Sequence, residues 1–150
     1  DDAERALALY RERYSQSGLF EADVYDGIPE ALASLKAAGH VLHLATAKPH
    51  VYARRINAHF GLDRYLDHQF GPELDGTRND KGALLTYALG QLGIGPAECV
   101  MIGDRRYDYD AAQVAGMRSV AVHWGFGTPE EWQRADFDCP APQDLVGIPF

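Results

Sequence analysis

With 150 residues, 46% of them hydrophobic, the chain is long enough for one α/β domain with its own core and too short for two of ordinary size. A formal net charge of −8 and a pI near 5.1 exclude nucleic acid and anionic membrane surfaces as main partners, because either polyanion would be repelled over most of the protein. Cys99 and Cys139 stand apart without a CxxC pair, and no run reaches the roughly 20 apolar residues of a membrane span, so a cytoplasmic protein acting on small molecules or other proteins is expected.

In chain order, residues 3 to 17 place Ala6, Leu7, Leu9, Tyr10 and Tyr14 largely on one helical face with charges opposite, which predicts an amphipathic helix ended by Ser17-Gly18. The chain opens on Asp1-Asp2 without a Met and with this pattern already under way, so the natural protein is expected to be longer. After a loop through Val24-Tyr25-Asp26-Gly27, Pro29 marks the first turn of a second helix over residues 30 to 38, closed by Gly39. Val41-Leu42-His43-Leu44-Ala45 is a short apolar run that empties into Thr46-Ala47-Lys48-Pro49, the pattern of a buried parallel strand. A helix over 50 to 59, a short strand His68-Gln69-Phe70 and a helix over 81 to 92 ended by Gly93 follow. The next apolar run, Glu98-Cys99-Val100-Met101-Ile102, ends at Gly103-Asp104 and leads to a helix from about Tyr109 to Ala115. Ser119-Val120-Ala121-Val122-His123 is the last strong strand, and helix starts at Pro129-Glu130-Glu131-Trp132 and, more weakly, at Asp144-Leu145-Val146 fill the tail. Strands alternating with helices over short loops imply a parallel, helix-covered sheet whose loops at the strand C-termini converge on one site.

Three polar groups fall at such ends. Thr46 directly follows its strand, where a hydroxyl and the next backbone N–H groups can donate to a phosphate oxygen, although the same position suits a helix cap. Lys81 opens a helix, where a cation opposes the dipole unless it answers a nearby negative charge. Asp104 ends the strongest strand, beside Gly103, and Asp108 follows one turn on; such a carboxylate pair suits Mg²⁺, which takes a few hard oxygens and keeps several waters. The alternative for that pair is a capping Asp with an exposed partner in the first helical turn.

The order Thr46, Lys81, then Gly103-Asp104-x-x-x-Asp108-x-x-Ala111-Ala112, resembles motifs two, three and four of the haloacid dehalogenase-like superfamily, and more closely its phosphoglycolate phosphatase-like branch. Ala45-Thr46-Ala47-Lys48-Pro49, His59-Phe60-Gly61-Leu62, Lys81-Gly82-Ala83-Leu84-Leu85 and Ala115-Gly116-Met117 are similar to that branch, so the resemblance spans about residues 24 to 127. It implies a three-layer, Rossmann-like parallel sheet and a Mg²⁺-dependent phosphatase that hydrolyses a small phosphomonoester through an aspartyl-phosphate. By the same resemblance Thr46, Ala47 and Lys81 bind the phosphate, Asp104 holds Mg²⁺, and Asp108 is a second acidic group near the metal. A 5′-nucleotidase, sugar phosphomutase or pyrophosphatase of the same superfamily, or a non-catalytic binding module, are the alternatives.

The family's first motif, Asp-x-Asp-Gly-Thr at the end of a central strand, is absent. Asp75-Gly76-Thr77 spells its last three letters, but Phe70-Gly71-Pro72 precedes it instead of an apolar strand, and Pro72 and Gly76 make a turn. The resemblance therefore implies a sheet lacking its central first strand, with residues 1–20 as the end of a helical cap domain and 21–150 as an incomplete core. Such a chain is expected to pair with its missing N-terminal segment or with a second copy, since two buried strand edges would otherwise be unpartnered. His40 and His43, and Trp124 and Trp132, read as packing or surface residues rather than as a zinc site or a stacking platform, and the pair Arg105-Arg106 suits either a surface pair balancing Asp108 and Asp110 or a contact to a substrate phosphate.

Overall fold

All strand pairings in the computed structural model, which describes residues 7–10 and 26–149, are parallel, and the six strands lie in the order β3-β2-β1-β4-β5-β6. These are β1 (Leu7–Tyr10), β2 (Val41–Ala45), β3 (His68–Phe70), β4 (Cys99–Gly103), β5 (Arg118–Val122) and β6 (Phe137–Cys139). The helices are α1 (Ile28–Ala37), α2 (His50–His59), α3 (Lys81–Leu92), α4 (Arg106–Ala115) and the single turn α5 (Pro129–Trp132). Alternation along the strands separates two cores. Leu42, Val100, Ile102, Val120 and Val122 face α1 through Ile28, Ala31, Leu32 and Leu35, whereas Ala45, Cys99 and Met101 face Leu85 and Leu89 of α3 and Ala111 and Ala112 of α4. The result is the expected three-layer α/β sheet covered on both faces. No helix among the described residues is long and apolar enough to cross a membrane.

Two expectations change. Leu7–Tyr10 is not helical but a strand, lying in the slot expected to be empty, with Leu7 opposite both Val41 and Cys99 and Tyr10 opposite both Leu44 and Ile102. A four-residue apolar run carries too little periodicity to choose between helix and strand, and an open slot between β2 and β4 would leave two buried ladders of N–H and C=O groups unpaired. The rest of the helix expected over 3 to 17, and the domain boundary expected near residue 20, lie outside the described residues. The second change is at α4, which begins at Arg106 rather than near Tyr109, because the Arg105 N–H is taken by Asp108 Oδ2 at 3.2 Å. Strand β6 escaped notice because Phe-Asp-Cys is only three residues with a polar centre.

Because β1 is paired on both sides, Leu9→Pro, which removes a ladder donor inside a central strand, is expected to cost the fold about 3 kcal/mol or more in urea unfolding. An unchanged midpoint would mean that this ladder contributes nothing.

A buried histidine adds a pH dependence. His43, 2% exposed on β2, stacks on His68 of β3 with ring centroids 5.2 Å apart, and its Nδ1 has no hydrogen-bond partner. Burial, then repulsion from His68, lowers its pKa to about 4, against the attraction of Asp67. The unfolded chain therefore binds a proton here that the folded one refuses, so stability is full above about pH 6.5 and falls as pH drops toward 4, by up to about 3 kcal/mol. Urea midpoints at pH 7 and 4.5 should separate clearly in the native protein and less in His43→Leu; equal separation would acquit His43.

Candidate active site

In a parallel sheet the loops that bind ligands cluster beyond the strand C-termini, at the point where the chain turns from one side of the sheet to the other. Here that point is β1, since β2 and β3 lie on one side of it and β4 to β6 on the other. Thr46, Lys81, Asp104 and Asp108 all stand around it.

Lys81, in the first turn of α3, reaches across. Its Nζ donates to the carbonyl of Ala45 at the end of β2 at 3.4 Å and pairs with Asp108 Oδ1 at 3.2 Å, joining the end of β2 to the first turn of α4, the helix that follows β4. Asp108 is fully buried and Lys81 only 12% exposed, so the cation that the helix dipole disfavours is answered by a desolvated carboxylate. Asp80 caps the same helix through Ala83 N–H at 2.9 Å, which fixes the turn from which Lys81 projects.

Asp108 is held by Lys81 through Oδ1 and by the Arg105 N–H through Oδ2. It packs so closely on β4 that a Cβ at Gly103 would lie 2.5 Å from its own Cβ, which is why glycine ends this strand. Of the acidic pair read from the sequence, Asp108 is thus committed to Lys81 and to the start of α4.

Asp104 differs. It is 4% exposed; Oδ2 accepts from the Phe126 N–H at 3.0 Å, while Oδ1 is buried without a hydrogen-bond partner. An ionised oxygen out of contact with water and donors is costly, and the usual compensation is a cation. Thr46 is 3% exposed at the end of β2; its N–H donates to Phe70 of β3 at 3.0 Å and its hydroxyl accepts from the Lys48 N–H at 3.2 Å, which curls the loop around exposed Ala47. Ala47 and Lys81 line an open pocket of about 460 Å³ with Asn79, Asp80, Tyr107 and Asp110.

Asp75-Gly76-Thr77 is an exposed turn, in which Asp75 Oδ1 accepts from the N–H and hydroxyl of Thr77 at 2.9 and 2.7 Å. These bonds lower the Asp75 pKa and leave it no part in the site. The sequence reading gave no site role to the loop 125–127 or to Glu131, which it read only as part of a helix start. Gly125-x-Gly127 followed by the capping pattern Thr128-x-x-Glu131 was the available signal. Cys99 and Cys139 are both unpaired and buried, and burial pushes their thiols up to about 12 and about 11, so neither suits a nucleophile.

Residues 2–116 match the model of the haloacid dehalogenase-like hydrolases. The chain belongs to that family. Among its relatives, a 5′-nucleotidase of Pseudomonas aeruginosa is 44% identical over 126 residues, covering 84% of this chain and 57% of that protein. The tyrosine-protein kinase PtkA of Mycobacterium tuberculosis is 41% identical over 137 residues, covering 91% and 45%. A phosphoglycolate phosphatase of Colwellia psychrerythraea is 34% identical over 126 residues, covering 84% and 56%. The crystal structure of a predicted phosphatase from Clostridium acetobutylicum superimposes with a TM-score of 0.84 at 38% identity, over 88% of this chain and 62% of that one. The haloacid dehalogenase-like fold expected from the three motifs is thereby established, while the chain spans about half the length of the curated relatives it matches.

Proposed function

We propose that this chain carries the phosphate- and cation-binding half of a Mg²⁺-dependent phosphatase acting on a small phosphomonoester in the cytoplasm. The observation that carries the reading is the buried, unpartnered Oδ1 of Asp104, standing at the sheet's turning point with a lysine already drawn to the same end of the sheet. Asp104 would hold Mg²⁺, with Asp108 behind it; bound there, the ion would polarise a phosphoryl oxygen as a Lewis acid. Among the described residues no three His, Cys, Asp or Glu side chains form a metal cluster, and Mg²⁺, which keeps several waters and takes substrate oxygens, does not demand one.

The chain's own groups would then act by position and charge. Lys81 neutralises negative charge on the phosphoryl oxygens, and the N–H groups and hydroxyl of the loop from Thr46 orient them, the two effects that dominate phosphoryl transfer. The attacking carboxylate is not among these residues. β1 ends at Tyr10 and the sequence continues Arg11-Glu12-Arg13, where the family resemblance asks for Asp-x-Asp. We therefore assign the nucleophile and general acid/base to protein outside these 150 residues. A carboxylate oxygen there attacks phosphorus, the alcohol leaves with a proton, and water then releases phosphate from the acyl-phosphate.

The test is Mg²⁺-dependent release of phosphate from an aryl phosphate. The isolated chain is expected to be inactive, and a longer natural protein in which an upstream Asp-x-Asp strand takes the place of β1 between β2 and β4 to be active. Turnover by the isolated chain would overturn the assignment of the nucleophile, and no turnover in an Asp-x-Asp-bearing protein would favour a binding module. Similarity to a protein named as a tyrosine kinase supports a second reading, in which the phosphoryl acceptor is a protein hydroxyl instead of water; label appearing on a tyrosine substrate rather than in free phosphate would select it.

A further inference from the structure

Asp104 sits in a loop, and a loop carboxylate needs something to hold it. The segment 125–127 lies directly on it: a Cβ at Gly125 would come within 2.4 Å of Asp104 Cβ, one at Gly127 would collide with the Asp104 carbonyl, and Phe126 N–H donates to Oδ2 at 3.0 Å. What joins this segment to the start of α4 is Glu131, 8% exposed on α5. Its Oε1 accepts from Arg105 Nε at 2.9 Å and from the Arg106 N–H at 3.2 Å, one and two residues after Asp104, and its Oε2 accepts from the Thr128 N–H at 2.9 Å, next to Gly127. One carboxylate thus ties together the two backbone segments that enclose Asp104. Burial opposes its ionisation, but Arg105 and the two amides hold its pKa below the usual carboxylate range, so it remains an acceptor on every side.

We propose that Glu131 is the positioning residue for Asp104: by fastening residues 125–128 to the start of α4, it keeps Asp104 Oδ2 on the Phe126 amide and leaves Oδ1 to the cation. The inference deepens the Mg²⁺-dependent reading and rests on it for the cation, although the positioning itself is independent of any ligand. A glutamine here keeps the shape but replaces one acceptor with an amide that must face a donor, so at least one of the three bonds is lost.

The experiment is amide hydrogen exchange by NMR on the whole chain, beside Mg²⁺ titration, comparing native protein, Glu131→Gln and Arg134→Ala. The last removes an exposed ion pair to Asp110 and keeps the backbone bond from Arg134 N–H to the Glu131 carbonyl and the three bonds to the Glu131 carboxylate. In Glu131→Gln the Phe126 amide is expected to exchange about tenfold faster while Met101, inside β4, is unchanged, and Mg²⁺ affinity to fall about tenfold; Arg134→Ala should change neither. If Glu131→Gln does not fold, Arg105→Met, which removes one donor to the same carboxylate, should accelerate the same amide to a smaller degree. Unchanged Phe126 exchange in whichever variant folds overturns the inference even if Mg²⁺ binds. Faster Phe126 exchange in a protein that never binds Mg²⁺ upholds the positioning and overturns the cation reading instead.

Discussion

Lys81→Met is expected to cost the fold about 3 kcal/mol and to weaken phosphate binding by about tenfold or more. The stability loss follows from burial: Asp108 is fully enclosed, and without the ammonium at 3.2 Å its buried Oδ1 loses a charge partner that methionine's packing does not replace. A surface ion pair of similar length, such as Lys36 with Asp67 at 3.0 Å, is worth under about 1 kcal/mol, and Lys36→Met serves as the control. The loss of anion affinity follows from position, since Lys81 supplies a cation where the sheet's loops converge. Urea unfolding and a phosphate titration measure the two effects, and a Lys81→Met protein as stable as Lys36→Met would show that the Asp108 pair is not desolvated.

Asp104→Asn is expected to do the opposite to the fold. Its amide oxygen can still accept from Phe126, while the charged Oδ1 with no partner gives way to a neutral group, so the metal-free protein should gain about 1 kcal/mol as cation binding disappears. Stability rising as function falls is the mark of a group held in place for a ligand instead of for the fold. Thermal unfolding with and without Mg²⁺ reads both: native protein should gain stability from the ion and Asp104→Asn should not. A variant that is less stable and still responds to Mg²⁺ would remove Asp104 from the cation site.

What the sequence made legible follows from the length of its patterns. Leu42–Ala45 and Cys99–Gly103 are continuous buried runs, α3 carries its closing Gly93, and these long signals placed Thr46, Lys81 and Asp104 at one end of the sheet. Leu7–Tyr10 was misread because four apolar residues satisfy either period, and the choice was made by the open slot between β2 and β4 rather than by local preference. Asp108 was read as a possible metal ligand because spacing shows that two carboxylates lie near each other but not which neighbour each will take. Its capture by Lys81, 27 positions earlier in the chain, is a property of the folded sheet. Glu131 was hidden for the same reason, its partners at 105 and 106 lying on a different element.

The most direct test of a joint phosphate and Mg²⁺ site is calorimetric titration of inorganic phosphate into the chain at zero and at saturating Mg²⁺. If Lys81, the loop from Thr46 and an Asp104-bound ion serve one anion, Mg²⁺ must tighten phosphate and phosphate must tighten Mg²⁺ by the same factor, about tenfold for a coupling near 1.4 kcal/mol. Phosphate binding that is absent, or identical with and without Mg²⁺, would contradict the site.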